Sequence, residues 1–173
     1  MAGHTADEES QAGRRLALAC IEALRDTRGS AAGADPGPLE FPPRGKPRVA
    51  GGPSFSISHS APLVACAAVT HGEVGLDVEC DASIGRLTLA TICDAAERDL
   101  VRAMGALHVW LAKEAALKAG GGTIEHIGAV RVFAGGASFR GAHFHAQRLE
   151  LAGRWPACVM TSEPGVPFEV RCL

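Results

Sequence analysis

The 173-residue sequence predicts an α+β protein with an antiparallel sheet. Residues 55–58 alternate apolar and polar side chains, which is typical of a half-buried strand. Residues 106–119 contain no proline or glycine and are rich in alanine and leucine, which favours a helix. Predicted strands and helices follow one another in mixed order, unlike the regular strand–helix alternation of a parallel α/β fold.

The first predicted element is an amphipathic helix over residues 14–25. Its apolar side chains recur at the spacing of one helix face, at Leu16, Ala17, Cys20, Ile21 and Leu24. Residues 27–43 are rich in glycine, alanine and proline, so we expect a loop or linker there.

Three strands are predicted in the middle of the chain. The alternating residues 55–58 form the first, and the apolar residues 63–70 form a buried second strand. His71 and Gly72 mark a turn, and residues 74–79 form the third strand.

Helices come next, followed by further strands. Asp94 and Glu97 have the spacing of a capping box, which predicts a helix start near Asp94. The helix over 106–119 should end at the glycines that follow it. Strands are predicted over three ranges, 127–133, 139–151 and 157–161, the first two joined at Gly135 and Gly136 and the third being the last of the chain.

Composition and charge narrow the function classes. Apolar residues make up 47% of the chain and charged residues 21%, as in soluble globular proteins. A net charge of −2 argues against a nucleic-acid partner. The chain has no apolar run of membrane-spanning length, and its first residues are polar and acidic. We therefore expect a cytoplasmic protein with no membrane partner.

The six cysteines are widely scattered, with no Cys-x-x-Cys pair. This spacing matches neither a zinc site nor a disulfide framework. We expect reduced and mostly buried thiols.

Asp77 and Glu79 are the first candidate functional residues. Residues two apart in a strand point to the same face, so both carboxylates project together while Leu76 and Val78 face the other side. Like charges side by side repel unless a cation compensates them. The alternatives at this point are a metal site and an exposed, solvated strand face.

The segment Trp-Leu-Ala-Lys-Glu-Ala-Ala-Leu-Lys at 110–118 carries Glu114 and Lys118 four residues apart on one helix face. Taken alone, this is a common surface ion pair. If Glu114 meets Asp77 and Glu79, three oxygen ligands converge, which suits Mg²⁺ bound to a phosphate substrate. Lys118 would then contact a phosphate oxygen.

The segment Phe-Ser-Ile-Ser-His-Ser at 55–60 places His59 between two serines. The ring N–H of His59 and the hydroxyls of the neighbouring Ser58 and Ser60 suit phosphate binding. A serine hydrolase is disfavoured because no Gly-x-Ser-x-Gly elbow surrounds either serine. The alternative is a turn histidine without chemistry.

Taken in order, these segments resemble the surfactin-type (Sfp-like) 4′-phosphopantetheinyl transferases. The resemblance covers about residues 39–161 and rests on four motifs in the family's order. They are Gly-Lys-Pro at 45–47, Phe-Ser-Ile-Ser-His-Ser at 55–60, Gly-Leu-Asp-Val-Glu at 75–79, and Glu97 followed by the Trp-x-x-Lys-Glu-Ala-x-x-Lys pattern at 110–118.

The resemblance implies two similar α+β halves related by a pseudo-twofold axis, with the active site at their interface. The N-terminal half would comprise residues 1–72 and carry nucleotide contacts. The C-terminal half, residues 73–173, would carry the Mg²⁺-binding and catalytic motifs. The first half is shorter than is usual in the family, and the internal pseudo-symmetry implies a monomer.

The resemblance also implies roles for individual residues. Asp77, Glu79 and Glu114 would hold Mg²⁺, with Mn²⁺ as an alternative. Glu114, Lys118 and Asp77 would be catalytic, with Glu114 as the base and Lys118 at the pyrophosphate. Contacts with coenzyme A would come from Lys46, Ser58, His59, Lys113 and Lys118.

The function implied is transfer of the 4′-phosphopantetheine arm of coenzyme A to a serine of an apo acyl or peptidyl carrier protein, releasing 3′,5′-adenosine bisphosphate. Such enzymes serve fatty-acid, polyketide or nonribosomal-peptide synthesis. Two alternatives stay open. One is a degenerate, non-catalytic module that binds coenzyme A or a carrier protein, and the other is a different Mg²⁺-dependent phosphate enzyme.

Overall fold

A computed structural model describes residues 6–26, 37–42, 45–80 and 86–173. The fold is mixed α+β, as the sequence predicts. The helices are α1 (Ala6–Asp26), α2 (Arg86–Ile92), α3 (Ala95–Met104) and α4 (Ala106–Ala119), with a short 3₁₀ helix at Ile124–Ala129. The strands are β1 (Leu39–Glu40), β2 (Arg48–Val49), β3 (Ser54–Ser60), β4 (Leu63–Val69), β5 (Val74–Val78), β6 (Arg131–Phe133), β7 (Gly136–Phe139), β8 (Ala142–Leu151), β9 (Trp155–Thr161) and β10 (Phe168–Cys172).

Helix α1 packs on a three-stranded antiparallel sheet with the order β10-β4-β3. The predicted apolar face of α1 is buried against Phe55, Val64, Cys66 and Ala68 of that sheet. This confirms the amphipathic helix. Most of the predicted loop, residues 27–36 and 43, lies outside the described residues.

Helix α4 packs on a five-stranded antiparallel sheet with the order β5-β9-β8-β7-β6. The bounds of α4 match the predicted helix. The predicted capping box is also present at the start of α3, where Asp94 accepts a hydrogen bond from the backbone of Glu97 and Glu97 accepts one from the backbone of Asp94.

The two sheets meet through a shared apolar cluster. Leu63, Ala65, Ala67 and Val69 of β4 pack with side chains of β5 and β9 in this cluster. Leu76 and Val78 therefore face away from α4, which confirms the two-faced pattern predicted for β5. None of the helices in the described ranges is long and apolar enough to cross a membrane.

Strand β10 corrects the predicted organisation of the chain. Residues 168–172 pair antiparallel with β4, so the end of the chain returns to the sheet that α1 covers. A boundary between residues 72 and 73 therefore cuts the first sheet away from one of its strands. The strand at 157–161 is present but is not the last.

Two further details differ from the sequence-based prediction, and a third agrees with it. The range 127–133 begins in the 3₁₀ helix, and only its last residues form β6. The range 139–151 is interrupted by a turn at Arg140 and Gly141, both with positive φ, which separates β7 from β8. All six cysteines are free, and four of them are buried, as expected.

Candidate active site between strands β3 and β5 and helix α4

Three of the four sequence motifs meet in one cleft of about 330 Å³. Strand β3, helix α4 and residues 74–80, which comprise β5 and the two residues after it and are called the β5 segment, form its walls. The polar lining comprises Ser58, His59, Asp77, Glu79, Glu114 and Lys118, and Trp110 lies beside them. The structure thus brings together the three acids, the lysine, the serine and the histidine that the sequence singles out.

Gly75 explains how α4 comes so near to β5. A Cβ atom on Gly75 would lie 1.9 Å from the carbonyl oxygen of Ala115 and 2.5 Å from the backbone nitrogen of Ala119. Only glycine permits this approach of backbone to backbone. Because Asp77 lies two residues further on and shares the face of Gly75, its carboxylate is directed at α4.

Lys118 is bound mainly to Asp77. Its Nζ lies 2.6 Å from Asp77 Oδ1 and 3.0 Å from Ser58 Oγ, but 3.8 Å from Glu114 Oε2. Ser58 also donates a hydrogen bond to Asp77 Oδ1 at 2.8 Å. The predicted pair of Glu114 and Lys118 is therefore the longer of the lysine's two carboxylate contacts.

Glu114 has a carboxyl group with a raised pKa. Burial raises the pKa of Glu114 from 4.5 to about 7, and the charges of Asp77 and Glu79 add to the rise while Lys118 opposes it. A carboxyl group with a pKa near 7 exchanges its proton readily at neutral pH, as a general base requires.

His59 lies at the rim of the cleft with more than half of its side chain exposed. Its Nδ1 is 3.6 Å from Glu9 Oε2, so the first turns of α1 come close to this rim. The histidine is accessible to a ligand from solvent.

Lys46 lies outside this cleft, in a separate groove of about 700 Å³ at the other end of β3. Its Nζ is 2.6 Å from Ser54 Oγ and 2.7 Å from Glu73 Oε2, and Ser54 donates to the same carboxylate. Burial lowers the pKa of Lys46. This cluster repeats the lysine–serine–carboxylate arrangement of Lys118.

The expected contact of Lys113 with a cofactor is corrected by the structure. Lys113 is fully buried, and its Nζ donates to Glu97 Oε1 and to the carbonyl oxygen of Val130, both at 2.6 Å. Glu97 Oε1 also accepts from the backbone N–H of Val132 at 2.8 Å. Successive helix residues are turned by about 100°, so Lys113 enters the core while Glu114 faces the cleft.

Three carboxylates of the cleft are the residues that could contact a cation. Within the part of the chain that the structure describes, no three histidine, cysteine, aspartate or glutamate side chains are grouped so that they could hold a metal ion. Asp77, Glu79 and Glu114 nevertheless line the same cleft, and carboxylate oxygens suit Mg²⁺. A divalent cation would offset the repulsion that raises the pKa of Glu114.

The serines of β3 have a second role besides the phosphate contact that the sequence suggests for Ser58 and Ser60. Ser54, Ser56, Ser58 and Ser60 each accept a hydrogen bond from a backbone N–H of the β5 segment. The signal is visible in the sequence as serine at every second position of a strand.

No family model and no curated protein matches this chain.

Proposed function

We propose that this protein transfers the 4′-phosphopantetheine arm of coenzyme A to a serine of an apo acyl or peptidyl carrier protein. The observation that supports this proposal is the convergence of three separate motifs in one cleft. Ser58 and His59 come from the first, Asp77 and Glu79 from the second, and Glu114 with Lys118 from the third. The match in sequence order is thus accompanied by proximity in space.

The proposal extends to the architecture. Each of the two sheets carries one long helix, α1 on the first and α4 on the second, and the cleft lies where the sheets meet. We assign these two units to the pseudo-symmetric halves of a phosphopantetheinyl transferase that acts as a monomer. The nucleotide end of coenzyme A is assigned to the groove at Lys46, which Ser54 of β3 also lines. Ser54 and Ser58 are four residues apart, which is about 13 Å at the rise of an extended strand.

Mg²⁺ is the cofactor in this proposal, with Asp77, Glu79 and Glu114 as its ligands. When bound, the ion would neutralise negative charge on the pyrophosphate of coenzyme A. Lys118 adds a positive charge beside the same phosphates, and His59 donates a hydrogen bond to a phosphate oxygen. Ser58 lines the phosphate site and holds Lys118 and Asp77 in place through its own hydrogen bonds. The N–H of His59 and the ammonium of Lys118 also orient the substrate, and positioning of this kind is a large part of catalysis of phosphoryl transfer.

The reaction itself is a single displacement. The carrier serine Oγ forms a bond to the β-phosphorus of coenzyme A, and the bond between that phosphorus and the bridging oxygen breaks. The electron pair leaves with 3′,5′-adenosine bisphosphate. The serine proton passes to the Glu114 carboxylate directly or through water. A bound cation would favour the ionised form of Glu114, which can accept that proton.

The test is mass spectrometry of purified apo carrier proteins incubated with the protein, coenzyme A and Mg²⁺. We expect one carrier class to gain the mass of one phosphopantetheine arm, and we expect EDTA to abolish the gain. Carriers of fatty-acid, polyketide and nonribosomal-peptide synthesis are tested in parallel, each with its acceptor serine changed to alanine as the matched control.

Two results would contradict the proposal in different ways. Binding of coenzyme A without transfer to any of the three carrier classes would indicate a non-catalytic binding module. Absence of coenzyme A binding would indicate a different Mg²⁺-dependent phosphate enzyme that uses the same acids.

A further inference from the structure

The hydroxyl groups of β3 connect the two sheets through a regular series of hydrogen bonds. Ser54, Ser56, Ser58 and Ser60 accept from the backbone N–H groups of Val74, Leu76, Val78 and Cys80, each pair twenty residues apart in the chain. The constant separation means that the two segments run in the same direction in one fixed register. These bonds satisfy the outward N–H groups of β5, which is an edge strand of its own sheet.

A serine that accepts a hydrogen bond still has its own proton to donate. Ser58 donates to Asp77 at 2.8 Å, and Ser60 donates to Glu79 Oε1 at 2.5 Å. In each case the carboxylate belongs to the residue just before the one whose N–H the serine accepts. The same two bonds on one hydroxyl therefore fix a backbone position and a carboxylate orientation together.

Ser56 is the exception that separates the two roles. It accepts from Leu76 N–H at 3.0 Å, but the residue before Leu76 is Gly75, which has no side chain to receive a bond. Ser56 thus binds only a backbone N–H, whereas Ser60 binds a backbone N–H and also a carboxylate.

We propose that Ser60 is a positioning residue, which holds the carboxylate of Glu79 in the cleft in the orientation that binds the divalent cation. This inference rests on the proposed function for the identity of the cation. It adds a residue that is not itself a ligand. Second-sphere hydrogen bonds to metal-binding carboxylates affect metal affinity through ligand orientation.

The test measures binding of Mn²⁺ to the full-length protein by electron paramagnetic resonance of the free ion, without coenzyme A or carrier. We expect Ser60→Ala to weaken Mn²⁺ binding by about 10-fold or more. Ser56→Ala, the matched control, should leave Mn²⁺ affinity unchanged although it also loses a partner for a β5 N–H group. Ser60→Thr retains the hydroxyl and should restore binding.

Thermal unfolding separates orientation of the ligand from loss of structure. Both alanine variants leave one backbone N–H without its acceptor, and Ser56→Ala, at a buried position, should lower the melting temperature at least as much as Ser60→Ala does. If Ser60→Ala is folded and binds Mn²⁺ as the unchanged protein does, or if Ser56→Ala weakens binding equally, the inference is overturned. The same holds if the unchanged protein binds no Mn²⁺.

Transfer assays distinguish this inference from the proposed function. Where transfer occurs, Ser60→Ala should raise the Mg²⁺ concentration for half-maximal rate and keep most of the rate at saturating Mg²⁺. Transfer with an unchanged Mg²⁺ requirement in Ser60→Ala would overturn the role of Ser60 alone. Loss of Mn²⁺ affinity in Ser60→Ala, in a protein that modifies no carrier, would support the role of Ser60 and contradict the transferase.

Discussion

Glu114 gives the folded protein a distinct dependence of stability on pH. Burial and the charges of Asp77 and Glu79 raise its pKa from 4.5 to about 7, while Lys118 opposes the rise and His59 shares the cleft. Between these two pH values the folded state binds more protons than the unfolded state, so stability falls as pH rises. The full effect corresponds to about 3 kcal/mol and is complete above pH 7. Urea unfolding in EDTA between pH 5 and pH 8 measures it.

Glu114→Gln is the control for this prediction. Glutamine has nearly the same shape and no titratable proton, so the loss of stability between pH 5 and pH 8 should become much smaller. An equal pH dependence in both proteins would assign the effect to other groups.

The same substitution tests the catalytic role of Glu114. Removal of a general base lowers the rate by about 10²–10⁴-fold, and Glu114→Gln should do so without unfolding the protein because its side chain faces the cleft. Single-turnover transfer from coenzyme A to an apo carrier measures the rate. Glu150→Gln, on an exposed position of β8, is the matched control. Near-normal turnover in Glu114→Gln would contradict the assigned role.

Lys113 and Glu97 form a buried pair that acts on stability. Lys113→Met leaves the Glu97 carboxylate without its charged partner at a fully buried position, where such a loss costs about 3–5 kcal/mol. Chemical denaturation measures the free energy of unfolding. Arg102→Met, which removes one partner of a pair that is exposed on both sides, should cost much less. Equal losses would contradict the distinction between a buried pair and an exposed pair.

At the scale of elements, the distance between β5 and α4 depends on Gly75. In Gly75→Ala the new methyl group would overlap the backbone at Ala115 and Ala119, so the helix must move away from the strand. Overpacking of this kind costs about 1–3 kcal/mol. Movement of α4 also lengthens the 2.6 Å contact between Lys118 and Asp77, so Mn²⁺ binding and transfer should both decrease.

Gly128→Ala is the control for Gly75→Ala. A Cβ atom on Gly128 meets nothing within 4 Å, so this variant changes backbone entropy without a clash. The prediction is contradicted if Gly75→Ala unfolds at the same urea concentration and binds Mn²⁺ with the same affinity as Gly128→Ala.

The elements that the sequence predicts well are those set by local patterns. The bounds of α4 follow from a run of good helix formers between Gly105 and Gly120, and the start of α3 follows from the side chains that cap it. Strand β10 was missed because its existence depends on pairing with β4, a hundred residues earlier in the chain. The alternation of Phe168, Val170 and Cys172 with charged residues was a usable local signal.

The sequence predicts most of the residues that line the site, but it does not predict the contacts between them. The acids of β5 and the acid and lysine of α4 lie in one cleft, as their motifs suggested. Lys113 lies outside the cleft. A motif gives the order of residues but does not show which of their side chains are buried in the core. Nor does a sequence reveal that Ser60 donates to Glu79, since this contact depends on the register between two sheets.

At the scale of the whole molecule, the two sheets are joined in three ways. The apolar cluster between them contains side chains from β4, β5 and β9, and the β3 serines bind the β5 backbone. The third connection is β10, which follows the second sheet in the chain and completes the first. Each unit has an apolar cluster under its own helix, but the third cluster and the outer edge of β5 are shared between the two units.

The protein should accordingly unfold in one cooperative transition. Native-state hydrogen exchange would give the same opening free energy for amides of β4 and of β9. The free energy of unfolding followed by the fluorescence of the two tryptophans, Trp110 and Trp155, should equal that value. A chain that ends at Pro167 loses Phe168, Val170 and Cys172 from the shared cluster, which should cost roughly 3 kcal/mol or more. Both strands should be destabilised together, whereas removal of Leu173 alone loses only its pair of backbone hydrogen bonds with Val64 and should have a smaller effect. Selective loss of protection in β4, with β9 unchanged, would indicate two separately stable units and place the cleft on a flexible junction.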